Sequence, residues 1–126
     1  HPLTNGQVGI MGFCWGGGTV NTLAVTMPDL DAGVSYYGMQ PDAGEVPGIR
    51  APLLIHYAGL DERVNAGWPS YREALDRAGT DYTTHTYEGA QHAFNNDTDG
   101  PRYNEAASTL AWERTINFFN LHLRQL

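Results

Sequence analysis

The sequence has a single cysteine, Cys14, so it cannot close an intrachain disulfide, and the lone thiol requires another explanation. It has no run of Lys or Arg, and acidic residues outnumber basic ones by 14 to 7. The electrostatic attraction that dominates binding to nucleic acid and to anionic membranes is missing, which argues against both as partners. No apolar stretch approaches the ~18 residues of a membrane span, and no charged start, apolar stretch and small-residue cleavage site follow one another. The cytoplasm is the expected location. An export signal ahead of His1 stays open, because the chain begins His1-Pro2-Leu3 rather than with methionine. The five histidines lack H-x-x-x-H spacing, and the run Gly16-Gly17-Gly18 lacks the Lys-Ser/Thr ending of a phosphate-binding loop. No metal and no cofactor is indicated. Asn96-Asp97-Thr98 fits the glycosylation sequon, a pattern short enough to arise by chance.

What the chain has is enough apolar material for one core. Of its 126 residues 41% are hydrophobic, with seven Tyr, four Phe and three Trp. A chain of this size buries roughly two-thirds of the surface its unfolded form exposes, which suits a single domain over residues 1–126. Val8 to Phe13 reads as a buried strand, turning at Cys14 into a helix from about Trp15 to Thr26 that stops at Met27-Pro28. Ala32 to Tyr37 has the same apolar character as the first strand. Gly38 to Arg50, rich in Pro and Gly, reads as a loop with at most one turn. Pro52 to Ala58 is apolar on both faces, as a strand covered by helices requires, and Asp61 follows it in a loop.

Tyr71, Ala74, Leu75 and Ala78 recur at helical spacing from Pro69 to Ala78, with Gly79 just past the end. Tyr82 to Tyr87, rich in Thr and Tyr, suits a strand leading towards His92. Asn104 to Leu123 carries an apolar stripe through Ala107, Leu110, Ala111, Ile116, Phe118, Phe119 and Leu123. This order defines an α/β chain, a mainly parallel sheet of about four strands with flanking helices.

Gly12-Phe13-Cys14-Trp15-Gly16 has the G-x-nucleophile-x-G form of a nucleophile elbow, in which glycines permit a tight strand-to-helix turn. A helix starting just after Cys14 offers unpaired N–H groups that favour thiolate over thiol. The competing reading of a lone cysteine is a buried apolar side chain. A thiolate needs a base and a group to orient that base, and Cys14, Asp61 and His92 occur in the order nucleophile, acid, histidine, each beyond the end of a predicted strand. Glu62, Glu88 and Asp97 compete for the acid role, and His56 or His85 for the base. The two histidines fall inside predicted strands, away from the rim.

Gly12-Phe13-Cys14-Trp15-Gly16-Gly17, Gly59-Leu60-Asp61 and Gly89-Ala90-Gln91-His92-Ala93-Phe94 together resemble the dienelactone hydrolase family over nearly the whole chain. The resemblance implies an α/β-hydrolase fold, a triad of Cys14, Asp61 and His92, and a small-molecule substrate, a lactone or other carboxylic ester. It also implies a thioacyl intermediate and the Trp15 backbone N–H as first donor to the oxyanion. The pattern departs after the histidine. Dienelactone-cleaving members carry an arginine there for the substrate carboxylate, and this chain has Ala93-Phe94-Asn95-Asn96. Tyr37 and Phe94 are candidates for lining a less charged pocket, and equally for packing in the core.

The resemblance further implies a preceding half of the domain, so that this chain is a half α/β-hydrolase fold lacking its N-terminal part. That half supplies a second oxyanion N–H in the family, a donor whose loss elsewhere costs about 10²- to 10³-fold in turnover. It also leaves the strand Val8 to Phe13 as an open edge that seeks a partner, either a second copy in a homodimer or a complementing N-terminal half. Three readings stay open: a cysteine-dependent hydrolase, a non-catalytic fragment or interaction module retaining the motifs, and a thiol-based acyltransferase on the same scaffold.

Overall fold

The computed structural model describes residues 7–27, 29–96, 100 and 102–123. His1-Pro2-Leu3, Pro28 and the Asp97-Thr98 of the sequon lie outside them. The described residues form a four-stranded sheet with strands side by side in chain order and every neighbouring pair parallel. The strands are β1 (Gly9–Phe13), β2 (Ala32–Tyr36), β3 (Leu53–Ala58) and β4 (Tyr82–Tyr87). Helix α1 (Trp15–Thr26) joins β1 to β2, α2 (Glu62–Asn65) and α3 (Trp68–Ala78) join β3 to β4, and α4 (Glu105–Leu123) follows β4. This is the α/β arrangement anticipated from the order of elements.

Side chains alternate along a strand, and β3 feeds two cores. Leu53, Ile55 and Tyr57 pack with Ala24 of α1 and with Tyr71 and Leu75 of α3. Leu54 and Ala58 pack on the opposite face with Phe94 and with Ala107 and Ala111 of α4. Every residue of β3 is buried, as a strand sandwiched between helices must be.

Three local features differ from the sequence reading. The Gly38 to Arg50 loop contains a 3₁₀ segment, Ala43–Gly48, around Pro47, held by bonds from the Glu45 N–H to the Asp42 carbonyl and from the Ile49 N–H to the Val46 carbonyl. The second arises because Val46 and Ile49 both anchor in the core. Helix α2 has only four residues, too short to show an apolar period. Along α4 the buried line is Ala107, Ala111 and Thr115, spaced four apart, whereas Leu110, Trp112 and Ile116 are exposed. Small residues let the helix axis lie close to the sheet, so the larger apolar side chains turn outward.

A polar network fastens α4 to the sheet. The Thr115 hydroxyl donates to the Ala111 carbonyl at 2.9 Å and accepts from the Tyr36 hydroxyl at 2.8 Å and from His56 Nε2 at 3.0 Å. His56 Nδ1 is then the acceptor for the Tyr87 hydroxyl at 2.8 Å. His56 is fully buried, and that burial, followed by the charges of His85 and Arg114, pushes its pKa down to about 3.

The unfolded chain binds a proton at His56 near the ordinary histidine pKa of about 6.5 while the folded chain does not, so stability falls as pH drops below that value. Between pH 7 and pH 5 this site alone is expected to remove about 2 kcal/mol. Urea denaturation at several pH values checks it: the slope below pH 6.5 should be shallower in His56→Gln than in the parent, and equal slopes would contradict the assignment.

Candidate active site

The residues singled out in the sequence rise from neighbouring ends of the parallel strands, the edge where ligands bind in open α/β sheets. Cys14 follows β1 directly. Its N–H donates to the Tyr36 carbonyl at 3.1 Å, continuing the ladder one residue past the strand, and its own carbonyl accepts from the Gly18 N–H at 3.1 Å, opening α1. Satisfying both bonds forces φ 54° and ψ −113° on a residue that has a Cβ. Strain of this kind costs about 1–3 kcal/mol and persists only where surrounding structure imposes it.

Among the described residues, the non-glycine positions with positive φ are Cys14, Tyr37 and Ala93. Tyr37 lies just past β2, and Ala93 adjoins His92. The left-handed strain is gathered at one rim.

Asp61 and His92 reach that rim by two interlocked loops. Gly59 donates to the Tyr87 carbonyl and Leu60 to the Ala90 carbonyl, each at 2.9 Å, so the segments after β3 and β4 are bonded to each other. Asp61 caps α2, its Oδ1 accepting the Val64 N–H at 3.2 Å, and Asn65 Nδ2 returns to the Ala58 carbonyl at 2.8 Å. The other carboxylate oxygen, Oδ2, is hydrogen-bonded to His92 Nδ1. A carboxylate only accepts, so Nδ1 carries the proton and Nε2 is the acceptor end of the neutral ring. Asp61 is 8% exposed, which shields its carboxylate from bulk water, while the His92 ring stays partly exposed.

Cys14, Trp15, Tyr37 and His92 line one cavity of about 510 Å³, together with Leu23, Met39 and Val64. Tyr37 meets the His92 ring edge-on at 5.0 Å between centroids. Its phenol is pushed up by burial first and by neighbouring Cys14 second, and so stays protonated. Trp15 is the first residue of α1, where backbone N–H groups have no intrahelical acceptor, and its side chain is 93% exposed. Phe94 is fully buried and does not line this cavity. It lies beneath Tyr37, ring centroids 5.2 Å apart, and packs against Tyr87 at the same separation.

The competing candidates lie elsewhere. His56 is committed to the α4 network, and His85 sits within β4, its pKa lowered by burial and then by Arg114. Glu62 and Glu88 are exposed, and Asp97 is outside the described residues. Sequence reasoning missed the Val64 N–H that orients Asp61, since a backbone donor leaves no mark on residue identity. It also missed Arg63, Met39 and Gln40 in the cavity wall. Among the described residues no group of three His, Cys, Asp or Glu could hold a metal ion, and no helix is long and apolar enough to cross a membrane.

A parallel sheet whose first strand breaks sharply into a helix at Cys14, with helices on both faces, has the arrangement of the α/β-hydrolase fold. The match of residues 1–123 to the dienelactone hydrolase family model makes the assignment narrower: the chain belongs to that family. It is 41% identical over 109 residues to a protein of Saccharolobus solfataricus, spanning 86% of this chain and 42% of that one. It is 34% identical over 122 residues to the carboxymethylenebutenolidase of Pseudomonas putida, covering 94% of this chain and 50% of the relative. Among solved structures, the dienelactone hydrolase of Anabaena variabilis superposes with a TM-score of 0.72 at 26% identity, covering 94% of this chain and 50% of that chain. The chain thus spans about half the length of the curated relatives it matches.

The elbow's glycines are not equivalent. A Cβ on Gly12 would stand 2.3 Å from the Gly16 carbonyl oxygen, whereas a Cβ on Gly16 meets nothing within 4 Å. Gly12→Ala is therefore expected to lower stability by more than about 2 kcal/mol. Gly16→Ala, inside the first turn of a helix, is expected to be neutral or stabilising by up to about 1 kcal/mol. Thermal unfolding of the two variants checks the contrast, and equal losses would contradict it.

Proposed function

We propose that the chain carries the catalytic centre of a cysteine-dependent hydrolase of carboxylic esters or lactones. The observation that supports this best is that His92, which lines the same cavity as Cys14, is bonded through Nδ1 to the buried carboxylate of Asp61. Cys14 attacks the ester carbonyl from the N-terminus of a twelve-residue helix, where negative charge on sulfur is favoured. His92 accepts the thiol proton at Nε2 and delivers it to the leaving alcohol oxygen, and the acyl group stays bonded to sulfur as a thioester. His92 then activates water to release the acid. Asp61 holds the imidazole in the required tautomer and steadies its positive charge. The Trp15 N–H is the first oxyanion donor. A lactone gives the same thioester with its alcohol still tethered.

Hydrolysis of 4-nitrophenyl acetate tests the reading. Nitrophenolate release should be lost by at least about 10³-fold in Cys14→Ala and His92→Ala, and reduced by roughly 10²- to 10⁴-fold in Asp61→Asn. Equal rates in the parent and all three variants would sink it.

The alternative, a non-catalytic module that keeps the motifs, draws on a different observation. Strand β1 has no partner on its outer edge among the described residues. Val8 just before it, Phe13 at its end, and Trp112 and Ile116 on α4 expose apolar side chains. We propose that this edge is completed by a second copy of the chain or by the half of the domain that precedes β1 in relatives. Light scattering separates the two. A dimer supports pairing of copies, and a strict monomer excludes it. Ester hydrolysis that appears only when the preceding half is added supports completion in that way.

A further inference from the structure

The loop that carries Asp61 is closed by a side chain outside the three motifs. The carbonyl of Ala58, the last residue of β3, accepts two donors, the Asp61 N–H at 3.1 Å and Asn65 Nδ2 at 2.8 Å. The Asn65 N–H donates in turn to the Asp61 carbonyl at 3.0 Å. Asn65 is thus bonded through its backbone to the acid and through its side chain to the strand end, across Gly59 and Leu60. Helix α2 has only four residues and cannot hold its own shape. The direction in which Asp61 points is set by the bonds that tie this short turn to β3.

The other end of the same amide is costly to the fold. Asn65 Oδ1 is buried and has no hydrogen-bond partner among the described residues. Most buried polar atoms are paired, and an unpaired one lowers stability. Nor does the fold need the Nδ2 bond to remain closed. Without it the Ala58 carbonyl keeps the Asp61 N–H, and α2 stays attached through the Val64 side chain in the core and the Val64 carbonyl, which accepts Gln40 Nε2 at 2.9 Å. Stability therefore does not account for the amide, whereas alignment of the acid does.

Resting on the hydrolase reading, we infer that Asn65 is a positioning residue: it clamps Asp61 to the end of β3, so that Oδ2 stays on His92 Nδ1 and Nε2 is left to take the thiol proton. A carboxylate that swings away frees the ring to turn and to carry its proton on the other nitrogen. Asn65 does not line the cavity beside Cys14, so its effect on a substrate passes through Asp61 and His92. Rate should depend on it, and substrate binding should not.

The test uses the protein in its complete form, with 4-nitrophenyl acetate as substrate and the variants Asn65→Ala and Asn65→Leu, the second keeping the bulk of the side chain without its polar atoms. In both, kcat should fall by about 10- to 10²-fold while KM stays within about twofold. The unfolding midpoint should drop by no more than about 4 °C. An unchanged kcat, a loss carried by KM, or a loss of folding in both variants overturns the inference, and Cys14-dependent turnover by the parent leaves the hydrolase reading standing. If the parent cleaves no ester in a Cys14-dependent way, the hydrolase reading fails instead, and proton NMR decides the clamp itself. The His92 Nδ1 proton, assigned by its loss in His92→Ala, should be visible in the parent and exchange with water faster in both Asn65 variants. A proton that is missing from the parent, or equally protected in the variants, overturns the inference.

Discussion

The site depends on a backbone crossing. Cys14 can hold φ 54° only because the chain closes tightly on both sides of it, β1 against the first turn of α1 and α1 against the end of β2. A Cβ on Gly38 would stand 2.2 Å from the Gly17 carbonyl carbon, and one on Gly17 2.6 Å from the Tyr36 carbonyl oxygen. These contacts are backbone to backbone, so no neighbouring side chain can yield to relieve them. The glycines therefore do more than loosen a turn: they let α1 dock low enough for its N-terminus to sit at the strand ends, where Tyr37 and His92 also arrive.

The second constraint is the commitment of Asp61 to two tasks. One oxygen caps α2 and the other holds His92, so the position of the imidazole is tied to a helix terminus and, through the Leu60 to Ala90 bond, to the loop that carries it. Burial strengthens such a bond and makes it costly to break, because a carboxylate without partners in that place has no water to turn to.

Much of this was legible in the sequence because parallel strands buried on both faces write themselves as unbroken apolar runs, and because glycine marks where backbones meet. β2, β3 and α1 follow those marks closely, whereas β1, expected to be buried, is only half-buried and β4 is legible from its Thr and Tyr content instead; Cys14, Asp61 and His92 each stand past the end of a strand. The remainder was hidden for identifiable reasons. A four-residue helix has no period, so α2 and the capping role of Asp61 were invisible as a unit. Apolar spacing on α4 does not say which apolar residues face inward, and the sheet selected Ala107, Ala111 and Thr115 for closeness rather than Leu110 and Ile116 for size. Phe94 could not be told apart from a pocket residue, since aromatic identity is the same in a wall and in a core. Arg63 reaches the cavity wall only through the fold of the loop between β3 and α3.

The open edge of β1 and the single proposed oxyanion donor reflect one physical circumstance. In a parallel α/β sheet the strand that delivers the nucleophile is buried on both sides, and the backbone donors for a developing oxyanion come from that strand's helix and from a loop beyond its far neighbour. Here β2 fills one side of β1, and α4 crosses its start so closely that a Cβ on Gly9 would meet Leu123 at 2.5 Å. Among the described residues no strand pairs with the other side, and elsewhere α4 leaves Leu110, Trp112 and Ile116 exposed. A strand that pairs along that side brings a neighbouring backbone towards Cys14. Closure of the sheet and completion of the oxyanion site are therefore expected to be coupled, since the free energy that drives the first positions the donor for the second.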